Sequence, residues 1–142
     1  MTGTVVDFQR ERNLPTMFFA QAARLGNKPF LWGKGDGGAF TPVTWAAAAA
    51  QVRDLARGLR ALGVGAGDKV ALVAENRPEW LLADLAVMAA GAITVPTYTT
   101  NTVDDHAYIF EHAEAKVVIV SSAALAAQVL PAAGRAGCAL VI

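Results

Sequence analysis

The chain has 142 residues, with 12 basic and 12 acidic side chains and a formal net charge of zero. Apolar residues make up 54% of it, which excludes an intrinsically disordered chain and suffices for the buried core of one domain. Its basic residues form no stripe, which argues against a nucleic-acid surface. A single cysteine, Cys138, excludes a disulfide framework and a cysteine metal cluster, so we predict a reducing, cytoplasmic environment.

The first residues and the apolar segments bear on membrane association. Residues 1–12 carry mixed charge and lack the apolar core of a signal peptide, and we expect a flexible arm there. The longest apolar run, 80–95, contains Asp84 and is too short to cross a bilayer. A peripheral contact with a membrane surface stays compatible with this pattern.

The first predicted elements are a helix and a hairpin. A helix is expected over residues 17–25, with Thr16 at its N-cap. Two short apolar segments, 29–32 and 40–43, are joined by a glycine-rich turn, which is typical of a β-hairpin.

In the rest of the chain, helical patterns alternate with apolar, β-branched runs. The fold class that this order predicts is α/β: a partial doubly wound parallel sheet with flanking helices, plus the short N-terminal β-hairpin. We expect residues 13–142 to form one α/β subdomain. The helices are expected over residues 45–62, 78–90, 102–115 and 123–133, and the strands over residues 69–74, 93–95, 117–120 and 139–142.

The glycine-rich segment 63–67 invites a dinucleotide-binding interpretation, which would make the protein a dinucleotide-dependent oxidoreductase. A dinucleotide fingerprint needs its glycines after a strand and before a helix. Here the glycines follow a predicted helix and precede a predicted strand, so a helix C-cap and tight turn are favoured. Lys34 is followed by Gly35 and not by Ser or Thr, which also argues against a phosphate-binding loop.

The remaining reactive side chains favour structural roles. His106 and His112 lie six residues apart in one predicted helix and therefore on different faces, which argues against a shared metal ion. Asp104 and Asp105 lie in the first turn of that helix, where a carboxylate stabilises the helix dipole. Ser121 lacks the flanking glycines of a nucleophile elbow.

Two segments follow the carboxyl ends of predicted strands, where open α/β sheets bind ligands. Residues 75–80 suit a strand-to-helix turn in which Asn76 caps, Pro78 opens the helix and Trp80 packs, although a site there stays open. Residues 95–102 contain four threonines and a tyrosine, and they form either a binding segment or a structural loop.

The order and spacing of several segments resemble the N-terminal region of adenylate-forming acyl-CoA synthetases, the AMP-binding superfamily. The segment 94–102, Thr-Val-Pro-Thr-Tyr-Thr-Thr-Asn-Thr, is most similar to the long-chain fatty acid branch. The segments that carry the resemblance are residues 44–45, 59–64, 63–73, 75–80, 90–96 and 102–121.

This resemblance implies an enzyme that activates a carboxylic acid with ATP and Mg²⁺ to an acyl-adenylate and then transfers the acyl group to coenzyme A. It implies that Tyr98, Thr99 and Thr100 border the coenzyme A entrance. An arginine that some relatives use nearby has no counterpart, because residues 122–130 contain no basic residue. Long-chain members can dimerise through this region, so the resemblance is compatible with a homodimer.

The family's catalytic signatures do not occur in these 142 residues. They are a Ser/Thr/Gly-rich loop ending in Pro-Lys-Gly, an aromatic-Thr-Glu motif, a ribose-binding Asp and a C-terminal Lys. The chain also stops inside its fourth predicted strand, and we therefore expect a truncated chain that is inactive alone, with no catalytic or metal-binding residue of its own. The alternative is a non-catalytic α/β module for assembly or nucleotide binding.

Overall fold

The computed structural model describes residues 12–35 and 37–142. The predicted arm therefore lies outside the described residues, apart from Arg12. The chain divides into two compact units, Met1–Gln51 and Val52–Ile142. Across the described residues, no helix combines the length and apolar character needed to cross a bilayer.

The first unit contains a helix and a hairpin. Helix α1 (Leu14–Leu25) begins earlier than predicted, and the assignment of Thr16 as its N-cap is wrong. Asn13 is the cap, because its side-chain oxygen accepts a hydrogen bond from the Thr16 backbone N–H at 2.9 Å. Pro15 fits the first turn, where its missing N–H costs no helical hydrogen bond.

The predicted hairpin is confirmed. Strands β1 (Pro29–Lys34) and β2 (Phe40–Thr44) pair antiparallel, with Trp32 opposite Pro42. Helix α2 (Trp45–Ala61) follows directly.

The second unit is built on a four-stranded parallel sheet in the order β4-β3-β5-β6. The strands are β3 (Lys69–Val73), β4 (Ile93–Thr97), β5 (Ala115–Val120) and β6 (Leu140–Val141), and the helices between them are α3 (Pro78–Ala89), α4 (Val103–Ala113) and α5 (Ala123–Ala136).

The order of the strands confirms a doubly wound arrangement. The chain steps from β3 outward to β4 and then crosses back over β3 to β5. Because parallel connections are right-handed, this reversal places α3 on one face of the sheet and α4 on the other. Helices α4 and α5 share a core with one face of β3 and β5, which includes Val73, Phe110, Val118 and Val129.

Strand β4 is longer than predicted and runs through Pro96, which lies opposite Leu72 of β3. Proline cannot donate to a neighbouring strand, so it is tolerated only where one side of the strand is unpaired. Among the described strands β4 lies at the edge of the sheet, which accounts for its tolerance of Pro96.

The glycine-rich segment is a helix-to-strand turn, as predicted, at the edge where the parallel strands begin. Gly63 and Gly67 have φ values of 88° and 81°, which favour glycine. The Asp68 carboxylate accepts from the Gly65 N–H at 2.7 Å and from the Lys116 ammonium at 2.7 Å. The Lys116 hydrogen bond and then that from Gly65 hold the pKa of Asp68 below its usual value.

Helix α3 is buried or half-buried along most of its surface, as its apolar sequence predicts, and among its residues only Glu79 is exposed. The predicted capping by Asn76 is wrong, because Pro78 starts the helix and makes Arg77 the N-cap, with no side-chain hydrogen bond. At the start of α4, Thr102 and Asp105 form a reciprocal capping box.

We predict that Leu82→Asp unfolds the protein. Leu82 is 2% exposed in α3, and an unpaired buried carboxylate costs several kcal/mol, on the order of the whole free energy of unfolding of a domain. Leu130→Asp is the matched control, because Leu130 lies in α5 but is 55% exposed. Thermal denaturation followed by circular dichroism should show a folded control, and an unchanged Leu82→Asp melting curve would contradict the position of α3.

We predict that Thr102→Ala lowers the free energy of unfolding by about 1 kcal/mol, since it removes the N-cap of α4. Thr100→Ala, at an exposed position outside the helix, should change it little.

Hydrogen bonds from the Thr102 backbone and hydroxyl lower the pKa of Asp105. The stabilisation by Asp105 is therefore complete above its unfolded pKa of about 3.9 and is lost as the pH falls through the folded value. Urea unfolding of the unchanged protein, Thr102→Ala and Thr100→Ala at pH 7 measures the loss of the cap. Repeating the measurement at pH 3 shows how much of that difference depends on the ionised Asp105.

Candidate functional site

An open cleft lies at the carboxyl ends of β3 and β4. Its volume is about 400 Å³, and polar, aromatic and small apolar side chains line it. Residues 75–80 and 95–102, the two segments that follow predicted strands, both contribute to the cleft, because neighbouring parallel strands end at the same edge of a sheet. The lining residues are Ala74, Glu75, Asn76, Trp80, Pro96, Thr97, Tyr98 and Thr99.

Glu75 supplies the acidic group of the cleft. Its carboxylate accepts a hydrogen bond from the Ser121 hydroxyl at 2.5 Å, which links the ends of β3 and β5. This bond is the main reason why the pKa of Glu75 lies below its usual value, and Glu75 is therefore ionised at neutral pH. A general base at neutral pH needs a raised pKa, so Glu75 suits binding better than proton transfer from Ser121.

The segment after β4 forms the opposite wall. Tyr98 is 80% exposed and Thr99 is half-buried, and both line the cleft. Thr100 is exposed and is not among the lining residues. The role of these three residues in binding coenzyme A stays a prediction.

Thr97, the last residue of β4, connects the cleft to a buried histidine. Its Oγ1 lies 3.2 Å from Nδ1 of His106 in α4. His106 is 0% exposed, whereas His112 is exposed, so the prediction that the two histidines face different sides is confirmed. Burial lowers the pKa of His106, which favours the neutral imidazole.

Sequence reasoning missed the contact between Thr97 and His106. His106 lies four residues before the buried Phe110 and is followed by the buried Ala107, and this spacing was the available signal that His106 faces the core. Its partner on β4 could not be recognised in the same way, since β4 was predicted to end at Val95.

The lining residues do not suit a triphosphate. They include no lysine or arginine, and an ionised Glu75 repels phosphate. No group of three or more His, Cys, Asp or Glu side chains in the described part of the chain could hold a metal ion. The aromatic, hydroxyl and amide groups do suit an uncharged polar ligand.

The parallel sheet and the cleft at its carboxyl edge define an α/β protein of the class in which ligands bind at the strand ends. Residues 18–142 match the family model described as AMP-binding enzyme, and the chain belongs to this family.

One relative is the long-chain-fatty-acid–CoA ligase FadD15 of Mycobacterium tuberculosis. It is 40% identical over 97 residues, which are 68% of this chain and 16% of FadD15. The chain thus spans less than a fifth of the length of this relative.

Solved structures with the same fold are larger than this chain as well. A benzoate CoA ligase from Burkholderia xenovorans has a TM-score of 0.77 and 28% identity, over 90% of this chain and 25% of that one. A fatty acyl CoA synthetase of Mycobacterium tuberculosis has a TM-score of 0.77 and 25% identity, over 92% of this chain and 26% of that one.

We predict that Tyr98→Ala changes the free energy of unfolding by less than about 0.5 kcal/mol, because the side chain is exposed and makes little packing contact. Trp80→Ala, on the opposite wall, should cost more, since Trp80 is half-buried in α3. Urea unfolding compares the two. A large loss for Tyr98→Ala would indicate a structural role and remove it as a residue free to contact a ligand.

Proposed function

We propose that this chain is part of an enzyme that activates a carboxylic acid, with a long-chain fatty acid as substrate. In this reaction the carboxylate attacks the α-phosphate of ATP, forms an acyl-adenylate and releases pyrophosphate. The thiol of coenzyme A then attacks the acyl carbonyl, forms the thioester and releases AMP. The observation that carries the proposal is the similarity to FadD15, over two thirds of this chain.

Within that enzyme, we assign the cleft to the coenzyme A side of the reaction. Tyr98 and Thr99 line it and Thr100 follows them, so the loop after β4 can contact a ligand that enters from solvent. Because the lining residues include no basic side chain, the phosphates of coenzyme A would be held by other parts of the enzyme.

The proposal extends to cofactors, assembly and location. ATP with Mg²⁺ and coenzyme A would bind the whole enzyme, and residues 1–142 alone would bind none of them tightly and would catalyse no reaction. The subdomain of residues 13–142 would take part in a homodimer, and the enzyme would work in the cytoplasm or at the membrane surface. The absence of a Pro-Lys-Gly loop from this sequence supports the lack of activity.

We expect the whole protein to catalyse ATP–pyrophosphate exchange that depends on a long-chain fatty acid, and residues 1–142 to give no exchange above the blank. Benzoate is the control acid, since one structural neighbour is a benzoate CoA ligase. Exchange with benzoate but not with the fatty acid would overturn the substrate class. Exchange by residues 1–142 alone would overturn the assignment of catalysis to other parts of the enzyme.

We also expect Tyr98→Ala in the whole protein to raise KM for coenzyme A while leaving the pyrophosphate exchange unchanged, because exchange precedes the thiol step. Leu130→Asp, at an exposed position on α5, is the control and should change neither quantity. An unchanged KM in the Tyr98→Ala enzyme would contradict the placement of coenzyme A at the cleft.

A further inference from the structure

A polar pair lies behind one wall of the cleft. The Thr97 hydroxyl and the His106 imidazole are joined by a contact of 3.2 Å between Oγ1 and Nδ1, and Thr97 also lines the cleft. The imidazole is 0% exposed and stacks against the Phe110 ring, with 5.6 Å between the centroids and 26° between the planes. His106 therefore has little room to rotate away from Thr97.

The surroundings of His106 distinguish its two neutral tautomers. Its Nε2 atom is buried and has no hydrogen-bond partner among the described residues. A proton on Nε2 would leave a buried N–H without an acceptor, which is rare in folded proteins, whereas a proton on Nδ1 leaves only an unused lone pair. The second arrangement also gives Nδ1 a donor role, with Oγ1 of Thr97 as its acceptor.

This tautomer fixes the role of the Thr97 hydroxyl. A hydroxyl has one hydrogen to donate and two lone pairs to accept with. If Nδ1–H of His106 occupies a lone pair, the hydroxyl hydrogen stays available to a ligand in the cleft. The opposite tautomer would direct that hydrogen at Nδ1 and leave the cleft with an acceptor only.

Burial lowers the pKa of His106 more than the nearby Asp105 carboxylate raises it, so the neutral form is favoured. The acidic residues nearest in sequence, Asp104 and Asp105, are exposed, and among the described residues the segment of β4 carries no titratable side chain. Tyr108, Glu111 and His112 lie on the exposed side of α4. The charged groups on the packed elements have partners elsewhere: Asp105 with Thr102, Asp104 with Arg135, Lys116 with Asp68, and Lys69 with Glu114.

We propose that His106 is a positioning residue: its neutral imidazole donates from Nδ1 to Thr97 and holds the Thr97 hydroxyl as a hydrogen-bond donor in the cleft wall. The Thr97 hydroxyl donates a hydrogen bond to an oxygen atom of the ligand, such as an amide carbonyl of the pantetheine arm. The identity of the ligand rests on the proposed function, whereas the tautomer and the orientation of Thr97 do not.

The tautomer can be measured directly on residues 1–142 by ¹⁵N NMR of the imidazole at pH 7.5. We expect the proton of His106 on Nδ1. Thr97→Val, which removes the acceptor and keeps the shape, should shift the proton towards Nε2, and Thr97→Ser, which keeps the hydroxyl, should leave it on Nδ1. A proton on Nε2 in the unchanged protein, or the same spectrum in all three proteins, would overturn the proposal.

The orientation of Thr97 provides a second measurement. Three-bond couplings should show one χ1 rotamer at pH 7.5 and the same rotamer after His106 is protonated, because the added proton goes to Nε2 and Nδ1–H remains the donor to Thr97. Because burial lowers the pKa of His106, this protonation should occur only below the free-histidine value of about 6.5. His106→Leu should show averaging at every pH, and His106→Asn, whose amide nitrogen can replace Nδ1, should restore the rotamer. One rotamer at every pH in His106→Leu would show that packing alone orients Thr97.

Titration of the whole enzyme with coenzyme A, followed through the ring signals of Tyr98, separates this inference from the proposed function. We expect Thr97→Val to weaken binding about fivefold, the value of one neutral hydrogen bond, and Thr97→Ser to change it little. Equal affinity of both variants would overturn the donor role. Absence of binding in the unchanged protein, with the proton on Nδ1, would support the positioning of Thr97 and remove coenzyme A as its ligand.

Discussion

The burial of β3 on both faces is the constraint on which the second unit depends. Val70, Ala71, Leu72 and Val73 are all 1% exposed or less. A strand of this kind needs a neighbour on each side and a layer of helices over each face, since its backbone groups must be paired and its side chains covered. Strands β4 and β5 provide the neighbours, and the reversal of direction between them supplies helices to both faces.

The same constraint places the polar residues of the cleft. Residues 70–73 of β3 are apolar and buried in the core. The first polar side chains at the carboxyl end of β3 are therefore those of Glu75 and Asn76, just after the strand. Strand β4 pairs with β3 in parallel, with Thr97 opposite Val73. Thr97 and Tyr98 therefore lie at the same edge of the sheet as Glu75 and Asn76. The cleft is therefore a consequence of parallel pairing, which brings the segments after both strands to one edge of the sheet.

Local signals in the sequence predicted most of the elements, but they were less reliable at the ends. The turn at Gly63 involves residues a few positions apart and was recognised. Asp105 was correctly placed in the first turn of α4, but its reciprocal capping box with Thr102 was not predicted. Asn13 was missed because Thr16 is an equally good capping residue, and only the conformation of the backbone distinguishes them. Strand β4 was predicted too short because Pro96 is acceptable only in an edge strand, and the strand order decides which strand lies at the edge.

The sequence by itself determined the α/β class, the alternation of strands and helices, and the resemblance to the AMP-binding enzymes that the family match confirms. These features follow from the periodicity of apolar residues and from short motifs, which are local in the chain. Tertiary structure decided which residues share the cleft, and it brought Ser121 to Glu75 and His106 to Thr97. Those contacts depend on the order of the strands and the packing of α4, because side chains on different elements meet only when the sheet is assembled.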